Sequence, residues 1–517
     1  MIQRPRYGSH GRRLLQVLSL VLLLSAFILP WRAAPAVFSF PLFEDGYYSL
    51  TIARSLAAGH GPTVDGVHLT SGFQPLWVIL LAPLSWIVSG DRELFVRLAL
   101  AAHWVLYAAC AIGIGLLTRQ MVVSRGDPAP ALTGPLATAL YLASGTILAL
   151  HFNGLETGLT LALYLLVGWR ALRVDWSSPR DVVVLGALCG LLILARIDAV
   201  FFVILLAPVS GLGLPGVACR ALIRATALLN GTALAVSAPW WIYNLAVFHR
   251  LMPQSGTAEA DYGFFVGRIV VFAGFAVHTA LPLPFDFLWA ERVLRPIVYG
   301  ALAGGLVLAL RAWLALRRHP EDRPVRLAIA LAGSVAILAV WYGLTSGAWW
   351  MYLRYSAPLV LLGVPLVALA LLRISRGRAQ TAILMTIVLA GTAGAVANLH
   401  GHLGPVRAIS ANLVQVELAR RAVPGDAMVG ALQTGTLGYF RDRTVNLDGK
   451  VNVAALTRRA DLDAYCREAG IDWLVDVDWL LKRDVFGSAV PSSWRQAAVA
   501  AVPGCEWCTV AAYVRVR

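Results

Sequence analysis

Charged side chains that could do chemistry gather in one short stretch of an otherwise apolar chain. Glu44 and Asp45 follow the first long apolar run, and Arg54 comes nine residues after Asp45. A carboxylate can take a proton from a reacting group, and an arginine offers a planar set of donors to an anionic oxygen. Residues 49–58 have helical character, so we expect a surface helix that presents Arg54 toward the acids. The plainer alternative is that the acids mark the end of a span and pair with Arg54.

Other charged residues lie between later apolar runs. Glu156, Arg196, Asp198 and Arg354 lie in short polar loops, and Lys450 lies in the polar C-terminal part. Each has a structural alternative. Glu156 can start a helix, where the macrodipole favours an acid, and Arg354 can extend to the membrane interface. Arg196 and Asp198 can pair with each other, and Lys450 can simply end a strand.

The composition predicts a membrane protein. Of 517 residues, 58% are hydrophobic and 14% are charged, against about 25% charged in average soluble domains. Apolar runs of roughly 20 residues, enough to cross a bilayer, recur from residue 14 to about residue 399. The apolar stretches 73–89 and 266–285 contain prolines and break the charge pattern, so we interpret them as re-entrant or interfacial pieces. The prediction is an all-α polytopic transmembrane domain with about eleven crossings, and up to about 13.

The distribution of basic residues predicts the orientation. Residues 1–399 hold 29 arginines and 16 acids, and the excess lies in short loops between the apolar runs. The positive-inside rule puts these loops and the N-terminus in the cytoplasm. The loop 41–72 and the part after about residue 400 are then outside. The net charge of +15 does not indicate a nucleic-acid partner, because a nucleic-acid-binding protein concentrates base on one soluble face.

The last part of the chain has the pattern of a small α/β domain. Strand-like segments at 427–432, 444–447 and 471–477 alternate with helix-like segments at 406–423 and 462–469. We expect residues 1–400 to form the transmembrane domain and residues 401–517 to form the external α/β domain.

A C-x-x-C sequence, Cys505 to Cys508, lies near the end of that domain. In an oxidising compartment this spacing favours a structural disulfide. A redox centre or a zinc site is the alternative, but partner ligands for zinc are missing from the pattern.

The first external loop resembles that of the C-type glycosyltransferases, integral membrane enzymes that include protein mannosyltransferases, aminoarabinose transferases and arabinofuranosyltransferases. The resemblance rests on an acid at the end of the first span, on Ala53-Arg54-Ser55-Leu56 about nine residues later, and on a Pro75-Leu76 step. Counting back from Arg54, the family's catalytic acid falls on Asp45 and not on Glu44. Shorter matches are a second acidic motif at 153–157, an R-P-D step at 196–198 with isoleucine for proline, an R-Y-x-x-P loop at 354–358 and an N-L-D-G-x-V-N stretch at 446–452.

The resemblance implies a hexosyl- or pentosyltransferase that uses a polyprenyl-phosphate sugar donor and a glycan, lipid or protein acceptor. It would act at the outer face of a bacterial inner (plasma) membrane, with Asp45 as the general base. Arginines would bind the leaving phosphate, and Glu156 could hold a metal, orient the acceptor or bind donor hydroxyls, so a divalent metal cofactor stays open. The residues expected to bind substrate are Glu44, Arg54, Glu156, Arg196, Asp198, Arg354 and Lys450.

Two other functions compete with this one. A lipid or sugar transporter or flippase would show paired repeats, broken helices and ionisable residues near the bilayer midplane. This chain instead places its polar residues in external loops. A non-enzymatic assembly or sensor protein would have no evident use for the acids and arginine of the first loop.

Overall fold

The computed structural model describes residues 7–39, 42–123, 130–212, 217–263, 265–281, 321–374, 410–487, 489–503 and 508–516, with isolated positions between these ranges. Helices make up most of the part before residue 375. In chain order they are α1 (Tyr7–Phe27), α2 (Ala34–Ser39), α3 (Glu44–Ala57), α4 (Pro75–Ile87), α5 (Arg92–Val123), α6 (Thr133–Ala143), α7 (Gly145–Phe152), α8 (Thr157–Ala171), α9 (Pro179–Ala195), α10 (Val200–Gly211), α11 (Cys219–Phe248), α12 (Gln254–Ala258), α13 (Val266–Ala280), α14 (Arg323–Thr345), α15 (Tyr352–Tyr355) and α16 (Val360–Ile374).

Several of these helices are long and apolar enough to cross a bilayer. Within the described ranges they are Gly11–Trp31, Arg92–Val123, Cys219–Phe248, Arg323–Thr345 and Trp349–Arg373. The pair α6 and α7 also qualifies if its 69° bend is counted as one broken span. The polytopic helical architecture is therefore confirmed, and the count of about eleven crossings stays a prediction. The two proline-containing stretches form α4 and α13, which have 13 and 15 residues, fewer than the roughly 20 of a full crossing.

Small residues let the membrane helices approach closely. Gly186 and Gly190 of α9 face α11, where an added Cβ would lie 2.8 Å from the Leu229 carbonyl oxygen and 2.6 Å from Val236 Cβ. A side chain larger than hydrogen would push the two helices apart. Helix association in lipid depends on such close packing, because lipid tails are as apolar as the side chains. This contact fixes α9, whose C-terminal end carries Arg196.

The first turn of α3 is seated on the loop that follows α7. The Phe43 amide donates to the Asn153 carbonyl oxygen at 3.0 Å. An added Cβ at Gly46 would lie 2.7 Å from that same oxygen. Gly154, with φ +83°, completes the contact in a backbone conformation that glycine adopts readily. The acids at the start of α3 are therefore held next to the loop that carries Glu156.

The C-terminal part is a five-stranded mixed sheet with helices around it. The strand order is β2-β1-β3-β5-β4, with β1, β2 and β3 parallel and β5 antiparallel to both β3 and β4. The predicted α/β pattern is confirmed for the described residues, whereas the predicted division at residue 400 lies outside them. The elements are α17 (Ala411–Ala422), β1 (Val429–Ala431), α18 (Gly435–Phe440), β2 (Thr444–Asn446), α19 (Val453–Thr457), α20 (Leu462–Glu468), β3 (Trp473–Val477), α21 (Asp478–Leu480), β4 (Trp494–Ala501) and β5 (Thr509–Arg515).

Cys505 and Cys508 form a disulfide between β4 and β5. The disulfide predicted from the C-x-x-C spacing is therefore present in the structure.

The turn after β2 contains the N-L-D-G-x-V-N stretch, and its polar residues hold the turn together. The Gly449 amide donates to Asn446 Oδ1 at 3.0 Å, and the Lys450 amide donates to Asp448 Oδ1 at 2.8 Å. Asn452 Nδ2 donates back to the Asn446 carbonyl oxygen at 2.9 Å. Gly449 has φ +86°, which favours glycine at this position. These bonds present Lys450 at the tip of the turn, which we call the 446–452 turn.

The C-terminal sheet part packs against loops of the membrane part. Gln254 Nε2 donates to the Gly449 carbonyl oxygen at 2.8 Å. An added Cβ at Gly72 would lie 2.1 Å from the Lys450 carbonyl oxygen, so the two backbones are in direct contact. On the other side, Arg92 Nη2 donates to both carboxylate oxygens of Asp442 at 2.6 Å. The 446–452 turn is therefore clamped against two loops of the membrane part.

Candidate functional site

A cavity of about 430 Å³ lies where loops of the membrane part meet the 446–452 turn. Six of the eight predicted site residues line it, whereas Glu44 and Arg54 do not. The charged residues in its wall are Asp45, Glu156, Arg196, Asp198, Glu259, Arg354 and Lys450. Residues far apart in the sequence, from the first loop to the C-terminal part, therefore share one wall.

Asp45 projects into the cavity from the first turn of α3. A carboxylate is favoured there because the amides of a helix N-terminus carry partial positive charge. Its side chain is 21% exposed, and its Oδ1 lies 3.8 Å from Lys450 Nζ. Asp45 is thus mostly sheltered, yet it is open to a molecule that enters the cavity.

Lys450 lies among three carboxylates. Its Nζ is 2.9 Å from Glu259 Oε1 and 3.8 Å from both Asp45 Oδ1 and Asp448 Oδ2. Burial lowers the pKa of Lys450, but the three acids outweigh burial and hold that pKa well above its usual value. Burial raises the pKa of Asp448 to about 6, and the charge of Lys450 opposes part of that rise. Lys450 therefore stays charged at neutral pH.

Glu156 joins two arginines on another part of the wall. Its Oε1 lies 3.3 Å from Arg196 Nη1 and 3.2 Å from Arg354 Nη2, and its side chain is 2% exposed. Arg196 also binds both carboxylate oxygens of Asp198. Tyr342 donates its hydroxyl to Asp198 at 3.0 Å. The pairing of Arg196 with Asp198, which the sequence left as an alternative to substrate binding, is therefore present, and Glu156 extends it to Arg354.

The two arginines differ in how fully they are engaged. Arg196 has both Asp198 and Glu156 as ionic partners. Arg354 has only Glu156 as an ionic partner among the described residues, and its buried Nε has no hydrogen-bond partner among them. Most buried donors in proteins are hydrogen-bonded, so an unpaired donor on a residue that lines a cavity indicates a place for an acceptor group. Arg354 is the arginine with spare capacity to bind an anion.

Aromatic and apolar side chains form the rest of the wall. Tyr342 and Tyr355 are stacked with their centroids 3.9 Å apart, and the Arg196 guanidinium lies 5.0 Å from the Tyr355 centroid. Trp349 and Trp350, by contrast, are about half exposed and do not line the cavity. The apolar part of the wall includes Val200, Phe201, Trp241, Leu251, Met252, Trp341 and Met351. The cavity wall thus combines charged and apolar side chains.

Glu44 does not face the cavity, contrary to its prediction as a substrate-binding residue. Its carboxylate accepts the Thr436 amide at 3.1 Å and the Thr436 hydroxyl, at the N-terminus of α18. Consecutive residues of a helix point about 100° apart, so Glu44 and Asp45 cannot both face the same space. Glu44 instead connects α3 to the C-terminal sheet part.

The buried position of Glu44 predicts a pH-dependent stability. Burial raises the pKa of Glu44 to about 7, although hydrogen bonds from Thr436 lower it. A carboxyl group with a raised pKa in the folded state binds a proton more tightly there than in the unfolded chain. Its contribution to stability is therefore full below about pH 4.5 and is lost as the pH rises to about 7.

As the pH rises from about 4.5 to about 7, we expect the thermal midpoint of the wild type to decrease relative to that of Glu44→Gln. Above about pH 7 the difference should stay constant. Glutamine keeps an accepting oxygen but does not titrate. Midpoints of both proteins, measured in detergent across this range, provide the comparison. Parallel curves for the two proteins would contradict the assignment of Glu44.

Arg54 also lies away from the cavity, and the prediction that it faces the acids is wrong. Nine residues of α-helix are about 2.5 turns, so Arg54 is on the opposite side of α3 from Asp45 and about 13.5 Å farther along it. Its Nη1 donates to the Tyr439 carbonyl oxygen at 3.2 Å, and its Nη2 lies 3.8 Å from Asp442. Arg54 therefore contacts the C-terminal sheet part.

The sequence reasoning missed Glu259, Asp448 and Tyr342. Glu259 was detectable only as an acid in an external loop, a criterion that applies equally to Asp261, which binds Arg268 instead. Asp448 was part of a quoted motif but had no role assigned to it. Among the described residues, no group of three or more His, Cys, Asp or Glu side chains is arranged to hold a metal ion.

No protein-family model matches the chain. A comparison with curated proteins also finds no match. Solved structures do match. ArnT from Cupriavidus metallidurans bound to undecaprenyl phosphate aligns with a TM-score of 0.56 at 14% identity, over 96% of this chain and 97% of that chain. The apo state of the same ArnT aligns with a TM-score of 0.54 at 15% identity, over the same shares.

The archaeal oligosaccharyltransferase AglB from Archaeoglobus fulgidus aligns with a TM-score of 0.48 at 14% identity, over 91% of this chain and 70% of that chain. The ArnT alignments span nearly the full length of both chains, so the likeness includes the helical part and the C-terminal sheet part. The chain therefore shares the fold of ArnT from Cupriavidus metallidurans.

Proposed function

We propose that this protein transfers a sugar from a polyprenyl-phosphate donor to an acceptor hydroxyl group at the outer face of a bacterial inner membrane. The observation that carries the proposal is the composition of one cavity wall. A mostly buried carboxylate, two linked arginines and several apolar side chains line one cavity of about 430 Å³. A sugar-phosphate lipid requires all three kinds of contact.

Asp45 is the general base of the proposed reaction. The acceptor oxygen attacks the anomeric carbon and forms the new C–O bond while its proton passes to the Asp45 carboxylate. The bond between the anomeric carbon and the phosphate oxygen breaks, and its electron pair leaves with the polyprenyl phosphate. Asp45 lies in the first turn of α3 and lines the cavity, so its carboxylate is within reach of an acceptor that enters there.

Arg354 and Arg196 bind the leaving phosphate in this proposal. Negative charge grows on the phosphate oxygen as the bond breaks, so fixed donors lower the barrier. Arg354 has a donor, Nε, with no hydrogen-bond partner among the described residues, whereas Arg196 is held in place by Asp198. Glu156 orients both guanidinium groups, a role that the sequence left open between metal binding, acceptor orientation and donor hydroxyls.

We place the lipid part of the donor against the apolar side chains that line the cavity. Phe201, Trp241 and Trp341 offer a surface that the first isoprenyl units can cover without leaving a membrane environment. Undecaprenyl phosphate is the molecule bound in the solved ArnT structure. That likeness favours a lipid phosphate of the same class here. The proposal covers a glycan, a lipid or a protein as the acceptor.

The proposed orientation puts the N-terminus in the cytoplasm and the C-terminal sheet part outside. The excess of arginine in the short loops supports this orientation. The cavity then lies toward the outer side, because Lys450 of the C-terminal sheet part lines it.

A transfer assay with purified protein in lipid nanodiscs tests the proposal. Radiolabelled pentose and hexose donors on undecaprenyl phosphate are offered with bacterial envelope extracts as acceptors. We expect label to move from the donor lipid to an acceptor with the wild type and not with Asp45→Asn. The same protein in proteoliposomes without acceptor checks the rival function. Movement of donor lipid between leaflets, without transfer in nanodiscs, would contradict the enzyme and favour a flippase.

A further inference from the structure

We propose that the Lys450 ammonium group takes the place of a divalent cation among Asp45, Glu259 and Asp448, and so positions the catalytic carboxylate without a metal. Lys450 is a positioning residue in this proposal, because it acts through Asp45. The sequence suggested instead that Lys450 binds donor. The role of Asp45 in this inference rests on the proposed function. The metal-binding behaviour that the inference predicts for Lys450 variants does not depend on that function.

The distances around Lys450 fit an ammonium group. Its contact with Glu259, at 2.9 Å, is that of a charged N–H···O hydrogen bond, and the contacts with Asp45 and Asp448 are ionic at 3.8 Å. Magnesium or calcium would need oxygen ligands at about 2.0–2.6 Å. A lysine has three N–H donors, and here it has three carboxylate neighbours. The three acids are therefore arranged around a cation that the chain itself supplies.

The position of Lys450 is built into the fold. Hydrogen bonds from Gly449 to Asn446 and from Lys450 to Asp448 shape the 446–452 turn. Gln254 and Gly72 then clamp the backbone of this turn against the membrane part. A flexible surface lysine would have none of these constraints. The C-terminal sheet part thus contributes a fixed charge to a cavity whose other charged residues come from the membrane part.

The charges explain why this position must hold a cation. Asp45, Glu259 and Asp448 would bring up to three negative charges within 4 Å of one point, in a mostly buried place. Like charges so close repel strongly where water is scarce. With Lys450 present, the Asp45 carboxylate has a fixed ionic partner on one side and remains open to the cavity on the other. Without Lys450, the space that it leaves would be an acidic pocket that attracts a metal ion.

Removal of the lysine side chain should therefore create a metal site. We would compare the full-length wild type with Lys450→Ala, Lys450→Met and Lys482→Met. Lys482, the only other lysine of the chain, binds Asp478 at the surface of the same sheet part and is the matched control. Methionine at position 450 removes the charge but fills the space. Comparison with alanine therefore distinguishes the effect of an empty acidic pocket from the effect of losing the positive charge.

The first readout is Mn²⁺ binding, followed by electron paramagnetic resonance in the absence of donor and acceptor. We expect Lys450→Ala to bind Mn²⁺ at least about tenfold more tightly than the wild type, Lys450→Met and Lys482→Met, because it alone has three carboxylates around an open space. Equal Mn²⁺ binding by the wild type and Lys450→Ala, with equal thermal midpoints, would overturn the proposal. This readout needs no activity, so it decides the proposal even if sugar transfer is never observed.

The second readout is sugar transfer with and without a chelator. We expect the wild type to be unaffected by the chelator and Lys450→Ala to lose about 100-fold in kcat, with a part of the rate restored by Mn²⁺. Lys450→Met should be equally slow and should not respond to Mn²⁺. A wild type that stops with chelator and recovers with metal would overturn the proposal and leave the proposed function intact. A wild type without any transfer would contradict the proposed function instead.

Discussion

Asp45→Asn is expected to reach the membrane and keep its fold while its sugar transfer falls about a hundred- to ten-thousand-fold. Asparagine has nearly the same shape and an accepting oxygen, but it cannot take a proton at neutral pH, and loss of a positioned base has a cost of this size. The side chain faces the cavity and lies 3.8 Å from Lys450, so its packing contribution is small. Initial rates with saturating donor, together with thermal midpoints, provide the measurement.

Glu44→Gln is the matched control for Asp45→Asn, because it makes the same chemical change one residue earlier. Glu44 accepts hydrogen bonds from Thr436 and has no contact with the cavity, so its transfer rate should stay near that of the wild type. The reverse result, with Glu44→Gln inactive and Asp45→Asn active, would make Glu44 the base. Full activity in both variants would remove the catalytic role from this loop.

Arg354→Met is expected to fold and to lose about a hundred- to a thousandfold in kcat, the usual effect of removing one fixed donor from developing negative charge. Glu156 keeps Arg196 as a partner in this variant, so no buried carboxylate is left alone. Arg196 is less suited to the same test. Its removal would leave Glu156 without one of its two arginines and Asp198 without its ionic partner, and breaking a buried ion pair typically costs about 3–5 kcal/mol of stability.

Arg54→Met is the control for Arg354→Met. The sequence predicted that Arg54 binds substrate, whereas the structure places it away from the cavity, so this variant tests which of the two is right. Arg54 contacts Tyr439 and, more weakly, Asp442, which is largely exposed. Loss of such a partly exposed contact should cost about 1 kcal/mol or less and leave transfer near normal. Kinetic constants for both variants with the same donor test this contrast. If Arg54→Met were inactive and Arg354→Met active, the phosphate site would lie elsewhere.

The site was predictable from sequence in part, and the reason differs from residue to residue. Glu156, Arg196 and Arg354 were predicted because their loops resemble short motifs of a known family. A motif identifies each residue within its own loop. It could not show that Glu156 bridges the two arginines, because this contact joins loops about 40 and 200 residues away along the chain.

The errors at Glu44 and Arg54 have a common geometric cause. Sequence spacing suggested that an acid pair and an arginine nine residues later would meet. In a helix, adjacent residues diverge by about 100° and residues nine apart lie on opposite sides. Which of the two acids faces the cavity depends on how α3 is seated on Asn153 and Gly154. That contact is a property of packing and has no signature in the first loop.

The sequence alone determined the architecture, because the length of apolar runs and the spacing of strands and helices reflect local requirements of a bilayer and of a small sheet. It also pointed to Asp45 rather than Glu44, and Asp45 is the one of the two that lines the cavity. Only the tertiary structure decided which charges meet. Lys450 reaches Asp45 and Glu259 through the docking of the sheet part on the loops near Gly72 and Gln254. Electrostatic partners a few ångströms apart can be hundreds of residues apart in the chain, and only the packing of the two parts brings them together.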